Sequence, residues 1–189
     1  MITLKKPFNG TKISLVTEAA ARFLASEREK VKSDSIDWLN LERKSGNDLS
    51  LPAGVTFEWE APCDADLLIS EHSDFSRPLI YHANNSCTVY NLKCDTYYYW
   101  KVVCGNESSR VFGLITKNEF PRMMRLEGVT NVRDCGGYEN LVGKVFRQGM
   151  LYRGSELNSH MNITPEGLRA MRDELGIKTV LDLRGEGLN

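Results

Sequence analysis

The sequence predicts a two-part fold, an all-β antiparallel sandwich followed by an incomplete α/β domain. The first part is indicated by apolar residues at every second position, as in Val55, Phe57 and Trp59, because alternate side chains of a strand point to one face of a sheet. The second part is indicated by a one-sided helix pattern and by the apolar, β-branched run that follows it, residues 177–183. Such a run is typical of a strand that is buried on both faces.

The boundaries follow from a change in composition near residue 120. Residues 118–122, with the sequence Asn-Glu-Phe-Pro-Arg, contain three polar side chains and a proline, which indicates a linker. We therefore divide the chain into residues 1–50, 51–119 and 120–189, with the sandwich in the middle segment. The first segment predicts an early strand at residues 13–16 and a helix over residues 18–31, rich in alanine, leucine and charged side chains.

The composition is that of an ordinary water-soluble globular chain. Of its 189 residues, 41% are apolar and 26% are charged, and the formal net charge is −1. A chain so close to neutral has no general attraction for DNA or RNA, so no nucleic-acid partner is expected. Residues 1–25 hold no uninterrupted apolar stretch, which argues against a classical secretion signal or a membrane span. We expect a cytoplasmic protein.

Five further strands are predicted in the middle segment, because short apolar runs alternate with Asp, Asn, Ser, Gly and Pro. They are residues 67–69, 79–81, 88–90, 97–103 and 111–115.

The helix of the last segment is predicted to begin at Thr164, which caps it, with Pro165 at its first position. Its apolar face consists of Leu168, Met171 and Leu175, which fall on one side of a helix. Gly176 is expected to end it.

The cysteines and histidines predict neither a metal site nor a redox pair. Cys63, Cys87, Cys94, Cys104 and Cys135 have irregular spacing and no C-x-x-C, so reduced and mostly buried thiols are the first expectation. One or two disulfides within residues 63–104 remain the alternative for a secreted protein. The three histidines are scattered and lack partners at ligand spacing, so we expect no metal and no cofactor.

Residues 50–117 resemble the fibronectin type III family. The resemblance rests on Trp59, on the Tyr-rich run 97–102 and on the closing strand 112–116. It implies a module that positions or binds other molecules and has no catalytic chemistry of its own.

Three motifs of the last segment resemble the bacterial tyrosine phosphatase family related to dual-specificity phosphatases. They are N-x-R-D-x-G-G-Y at residues 131–138, R-x-G-x-L-Y-R at residues 147–153 and D-L-R at residues 182–184. Gly154 replaces the usual serine, and Gly187 stands where the family has glutamate.

The resemblance implies hydrolysis of phosphotyrosine by a cysteine thiolate, with phosphoserine and phosphoinositide as further candidate substrates. The thiolate lies in a loop of backbone N–H groups at a helix N-terminus, and an arginine holds the phosphate oxygens. This chemistry requires H-C-x-x-G-x-x-R and an aspartate that protonates the leaving oxygen. No such motif occurs in the sequence. We therefore expect no catalytic residue and no turnover by this chain.

The resemblance also implies that six residues line or brace the phosphate pocket of a complete enzyme. They are Asn131, Arg133, Asp134, Arg153, Asp182 and Arg184. The charged members are equally compatible with a buried ion-pair network that joins the first loop to the strand end.

Two cysteines could be mistaken for the nucleophile. Cys104 begins a formal C-x5-R match that ends at Arg110, but Glu107 would repel a phosphate, and the segment predicts a hairpin turn without a following helix. Cys135 lacks an arginine six residues later. Both are expected to be packed side chains.

Two hypotheses remain. In the first, the chain is part of a tyrosine phosphatase whose completed domain would act on a phosphorylated protein or a small phosphomonoester. In the second, the sandwich is a binding or interaction protein, and residues 120–189 are a vestigial tail. In either case, Val180, Leu181 and Leu183 would lack strand neighbours, so we expect local disorder or self-association through the unpaired strand.

Overall fold

The computed structural model describes residues 1–25, 51–119, 122–158 and 162–184, and these residues are mostly β-structure. We call the described residues up to 119 the first region and those from 122 onward the second region. The strands are β1 (Thr3–Lys6), β2 (Thr11–Ile13), β3 (Val55–Glu60), β4 (Ala65–Ser70), β5 (Leu79–Ala83), β6 (Ser86–Val89), β7 (Tyr97–Cys104), β8 (Glu107–Ser108), β9 (Phe112–Thr116), β10 (Met123–Leu126), β11 (Val129–Asp134) and β12 (Tyr152–Arg153). The helices are α1 (Glu18–Ala25) and α2 (Pro165–Arg169), and α2 continues into a π-helical turn, Ala170–Glu174.

The first region consists of two sheets. One has the order β1-β3-β6, and the other has the order β2-β9-β7-β4-β5, with β8 paired to the end of β7. All pairs are antiparallel except β2 with β9, which is parallel. The expectation of purely antiparallel sheets is therefore wrong for β2. This strand follows β1, which lies in the other sheet, so no hairpin sets its direction.

A single core joins the two sheets. Burial alternates along β3 and β7 with the period of two that the sequence predicts. Phe57 of β3 and Trp100 of β7 are completely buried. Their rings meet edge to face, with centroids 5.1 Å apart, which is a favourable aromatic geometry. The inward faces of the two sheets therefore pack directly on each other.

The strand and the helix predicted near the N-terminus fall at least partly within the described residues. The early strand is shorter and earlier than predicted, at Thr11–Ile13. The predicted helix is present over Glu18–Ala25, and its expected continuation to residue 31 lies outside the described residues.

The second region has a small core between a three-stranded sheet and one helix. The sheet has the order β10-β11-β12, and its buried side chains pack against Met171 and Leu175 of the helical segment. The predicted start is confirmed, because the Thr164 hydroxyl accepts a hydrogen bond from the Gly167 N–H at 3.1 Å. The predicted end is also confirmed, because Gly176 has a φ of +64°, which favours glycine.

The predicted apolar face of this helix is wrong for Leu168, which is 52% exposed. Gly167 faces the core instead, and a Cβ atom there would lie 2.2 Å from the Glu127 carbonyl oxygen. The π-helical turn explains the shift, because it adds a residue to the turn and rotates the side chains out of the α-helical phase.

The predicted buried strand at residues 177–183 does not form. This segment has no strand structure, and Val180, Leu181 and Leu183 are 58%, 78% and 86% exposed. The apolar pattern requires a sheet neighbour on each side, and no strand of the described residues pairs with the segment.

The expectation that all cysteines are reduced is also wrong. Cys63 and Cys104 form a disulfide with a Cα–Cα distance of 6.4 Å. Spacing alone could not identify this pair among the four cysteines of residues 63–104, because the pairing depends on how the strands are arranged.

Candidate functional site

The first two phosphatase-like motifs meet at one loop of the second region. The Cys135 N–H donates to the Leu151 carbonyl at 2.8 Å, and the Gly137 N–H donates to the Phe146 carbonyl at 2.8 Å. Gly136 permits this close packing, because a Cβ atom there would lie 2.4 Å from the Gln148 Cα. The Gly-Gly pair of the first motif therefore holds the backbone of the second motif against it.

Asp134 is the polar centre of this loop and is 1% exposed. Its Oδ1 accepts a hydrogen bond from the Gly136 N–H at 2.8 Å, and its Oδ2 accepts one from the Gly149 N–H at 2.7 Å. Oδ2 also forms an ion pair with Nη1 of Arg122 at 2.5 Å. Both carboxylate oxygens are therefore engaged within the protein, as expected of a buried charge.

Arg122 connects this centre to the first region. It is 4% exposed, its Nε donates to the Leu92 carbonyl at 2.9 Å, and its Nη2 donates to the Asn91 carbonyl. Arg122 is not among the site residues predicted from the sequence, because an arginine at the end of an apparent linker carries no signal of its own. Its partners lie up to 31 residues away in the chain.

Two primary amides complete the junction between the regions. Gln148 accepts from the Cys94 N–H at 2.9 Å and donates to the Cys94 carbonyl at 2.8 Å. Asn91 accepts from the Arg125 N–H at 2.7 Å and donates to the Arg125 carbonyl at 3.0 Å. Each side-chain amide thus bonds both the N–H and the carbonyl of one residue, as the backbone of a neighbouring strand would.

Arg133 and Arg153 lie directly opposite each other on β11 and β12. Arg153 is exposed, and Arg133 is partly buried. The Nε of Arg133 is buried without a hydrogen-bond partner. Neither arginine forms an ion pair with any residue of the four described segments. Asn131, two residues before Arg133, is exposed and has a φ of +56°.

Asp182 and Arg184 form a separate pair near the end of the described chain. The two side chains are joined at 2.5 Å, and Arg184 also contacts Glu156 at 3.0 Å. Hydrogen bonds from Arg184 lower the pKa of Asp182 to about 2. The six implied pocket residues therefore do not form one network: Asp134 binds Arg122, Arg133 opposes Arg153, and Asp182 binds Arg184.

Three of the described cysteines, Cys87, Cys94 and Cys104, do not have the reactive thiolate of a phosphatase nucleophile. Cys104 is bonded to Cys63 and has no thiol, and the predicted hairpin is confirmed, because β7 and β8 pair beside Gly105. Cys94 is buried near Arg122, yet burial raises the pKa of its thiol to about 11, against the lowering effect of Arg122. Burial also raises the pKa of Cys87. These two thiols are therefore protonated at neutral pH.

A pocket of about 330 Å³ lies at the junction of the two regions. Asp95 and Asn118 line it from the first region, and Phe146 and Arg147 line it from the second region. Within the described segments, no three His, Cys, Asp or Glu side chains converge in a way that could hold a metal ion. No helix of these segments is both long enough and apolar enough to cross a bilayer.

Comparison with known proteins gives one relevant finding. A model of the tyrosine phosphatase family matches residues 124–187, about a third of the chain. The matched range contains all three motifs and every one of the six implied pocket residues. No curated protein and no solved structure gives a significant match.

Proposed function

We propose that residues 120–189 are the N-terminal portion of a tyrosine phosphatase domain and that residues 51–119 form a fibronectin type III-like sandwich that supports it. Residues 1–13 contribute β1 and β2 to its two sheets, so the sandwich begins before the predicted boundary at residue 51. The observation that carries this proposal is the family match over residues 124–187. The two facing sheets of the first region support the sandwich assignment.

The second part of the proposal is that residues 1–189 do not hydrolyse phosphate esters by themselves. Phosphatases of this chemistry attack phosphorus with a thiolate held by a helix N-terminus and an arginine. The sequence has no H-C-x-x-G-x-x-R. Cys104 is in a disulfide, and Cys94 is buried with a raised pKa. A completed domain would act on a phosphorylated protein or a small phosphomonoester.

The six implied residues take different roles in this proposal. Asp134 braces the motif loop, because its carboxylate holds two backbone N–H groups and Arg122. Arg133 and Arg153 line the phosphate pocket, because neither has a carboxylate partner among the described residues. Asn131, Asp182 and Arg184 are proposed as further lining or bracing groups.

The alternative is a binding or interaction protein whose working part is the first region. The observation that favours it is the difference in burial, because the apolar side chains at 180, 181 and 183 are exposed in the second region. Exposed apolar side chains favour association between molecules, so they also support the proposal of self-association. The strand that was expected to mediate it does not form within residues 177–183. A partner other than nucleic acid is proposed from the near-neutral charge.

The cytoplasmic location remains a prediction. The Cys63–Cys104 bond weighs against it, because disulfides persist mainly in oxidising compartments.

The deciding experiment is a p-nitrophenyl phosphate assay on the purified 189-residue chain, with Cys135→Ser as the matched variant and an active phosphatase as the positive control. We expect no release of p-nitrophenol above buffer in either chain. Release that disappears in Cys135→Ser would show that a nucleophile exists here and would overturn the proposal.

A further inference from the structure

We infer that Arg133 and Arg153 form a binding site for a phosphate-class dianion that is already complete in this chain. The inference rests on the pocket-lining role proposed above for these two residues, but it requires no nucleophile and no hydrolysis. It concerns binding alone.

The first observation is the strand register. Arg133 and Arg153 are direct Cα partners in the antiparallel pair of β11 with β12. Side chains at such positions project from the same face with Cβ atoms about 5 Å apart. Like charges on directly opposite residues of one sheet face are destabilising, and an anion bound between the two side chains would relieve this repulsion.

The second observation is the lack of internal partners. Three other arginines of the second region, at positions 169, 172 and 184, each pair with a nearby carboxylate. Arg125 and Arg147 form no ion pair in the described segments, but Arg125 lies over the Tyr90 ring and Arg147 lines the junction pocket. Arg133 and Arg153 have no carboxylate partner in the described segments. The Nε of Arg133 is in addition buried and unbonded. A buried donor without an acceptor is costly and is usually satisfied by a ligand or water.

The third observation is the opposite character of the two faces of this sheet. Asp134 and Tyr152, the neighbouring pair in the register, point to the other face, where Tyr152 packs on the small core and Asp134 binds Arg122. The only carboxylate next to Arg133 in sequence is therefore directed away from it and is already engaged. Arg153 is exposed, so an ion can reach the pair from solvent.

The charge and geometry of the two guanidinium groups indicate which class of anion they would bind. A guanidinium presents parallel N–H donors that match the oxygens of a carboxylate or a phosphate. Two guanidinium groups carry a charge of +2, which a dianion neutralises and a monoanionic carboxylate does not. Inorganic phosphate near pH 7.5 and a phosphomonoester share this chemistry, and both are tetrahedral.

The test is a titration of the full chain with inorganic phosphate at constant ionic strength, observed through the arginine Nε–Hε signals in NMR spectra. We expect the Arg133 signal to shift and saturate. Arg133→Gln and Arg153→Gln should each weaken binding about tenfold or more, because each removes charge-assisted hydrogen bonds. Arg172→Gln is the matched control, because that arginine is exposed and pairs with Asp173, and it should bind as the original chain does.

A second measurement separates binding from a merely structural role. In phosphate-free buffer, Arg153→Gln should raise the melting temperature, because it relieves the repulsion, whereas in phosphate it should lack the stabilisation that the original chain gains. Acetate, a monoanion, should give a much smaller effect than phosphate, and phosphotyrosine, a phosphomonoester dianion, should compete with phosphate.

Absence of saturable binding, equal binding by Arg153→Gln, or equal effects of acetate and phosphate would overturn the inference. These outcomes would leave the family match and the lack of turnover untouched. Conversely, hydrolysis of p-nitrophenyl phosphate would overturn the proposed inactivity without affecting the anion site.

Discussion

In the first region, Phe57 and Trp100 are completely enclosed between two sheets, whereas in the second region Leu141, Val142 and Leu183 lie largely in solvent. The first region has one core to which both sheets contribute. The core of the second region consists of six buried side chains, from β10, β11 and the helical segment.

From this difference we infer that the second region depends on the first for its stability. A small apolar core offsets little of the conformational entropy that folding costs. The polar junction formed by Arg122, Asn91 and Gln148 with their partners in the other region supplies fixed contacts that the small core lacks. A destabilising substitution in the core of the first region should therefore unfold both regions, whereas one in the core of the second region should unfold only the second.

The largest effect is expected from Trp100→Ala. The ring is fully buried and meets Phe57 and Phe112 edge to face, so its loss should cost about 4 kcal/mol and unfold both regions. Met171→Ala is the matched change in the other core and should unfold only the second region. Urea denaturation followed by tryptophan fluorescence, with amide exchange of residues 123–134, distinguishes the two outcomes. Loss of the first region in Met171→Ala would contradict the dependence stated here.

The next effect is expected from Arg122→Met, at about 3 kcal/mol, because it leaves the buried Asp134 carboxylate without its cation. Adding Asp134→Asn should recover part of the loss, since the remaining amide oxygen is neutral. The free energies of unfolding of the two single variants and the double variant give the coupling. Additive losses in this cycle would mean that the ion pair does not contribute to the stability of the second region beyond the separate effects of its two side chains.

A smaller effect, about 2 kcal/mol, is expected when the Cys63–Cys104 bond is removed by the double change Cys63→Ser and Cys104→Ser. The loss should fall on the first region, because both cysteines lie there. Thermal unfolding of the double variant, compared with Cys87→Ser as a control, measures it. An unchanged melting temperature would indicate that the two thiols are not joined in solution.

The smallest effect is expected from Leu181→Ser and Leu183→Ser, within about 0.5 kcal/mol of the original stability, because both side chains are exposed. The same changes should reduce self-association in analytical ultracentrifugation. The amides of residues 177–183 should exchange rapidly with solvent. Protection of these amides in a monodisperse monomer would show that the segment has found a neighbour.

The parts of the fold that sequence reasoning predicted are those set by local patterns. The apolar patterns of residues 55–60 and 97–103 predicted two strands that the structure contains as β3 and β7, because each has one buried face. Thr164 and Gly176 predicted the limits of the last helical segment, because capping depends on a few adjacent residues. The family resemblance of the last segment also follows from short motifs and is supported by the match over residues 124–187.

The parts that could not be predicted depend on distant contacts. Arg122 finds its partners 12 and 31 residues away, and no spacing rule connects them. The Cys63–Cys104 pair depends on strand order, and the exposure of Leu168 depends on a π-helical turn. The run at 177–183 has the composition of a buried strand, but composition cannot supply the neighbours that a strand requires.

The amides of Asn91 and Gln148 have a consequence for how long a preparation of this protein remains intact. Each amide gives and receives a hydrogen bond with a single partner residue across the junction. Slow, uncatalysed hydrolysis of either amide to an acid would remove the N–H donors and place a carboxylate oxygen against a carbonyl oxygen. A stored sample could thus lose its junction with every peptide bond unbroken, and its mass would rise by only one dalton for each converted side chain, about the difference between NH₂ and OH.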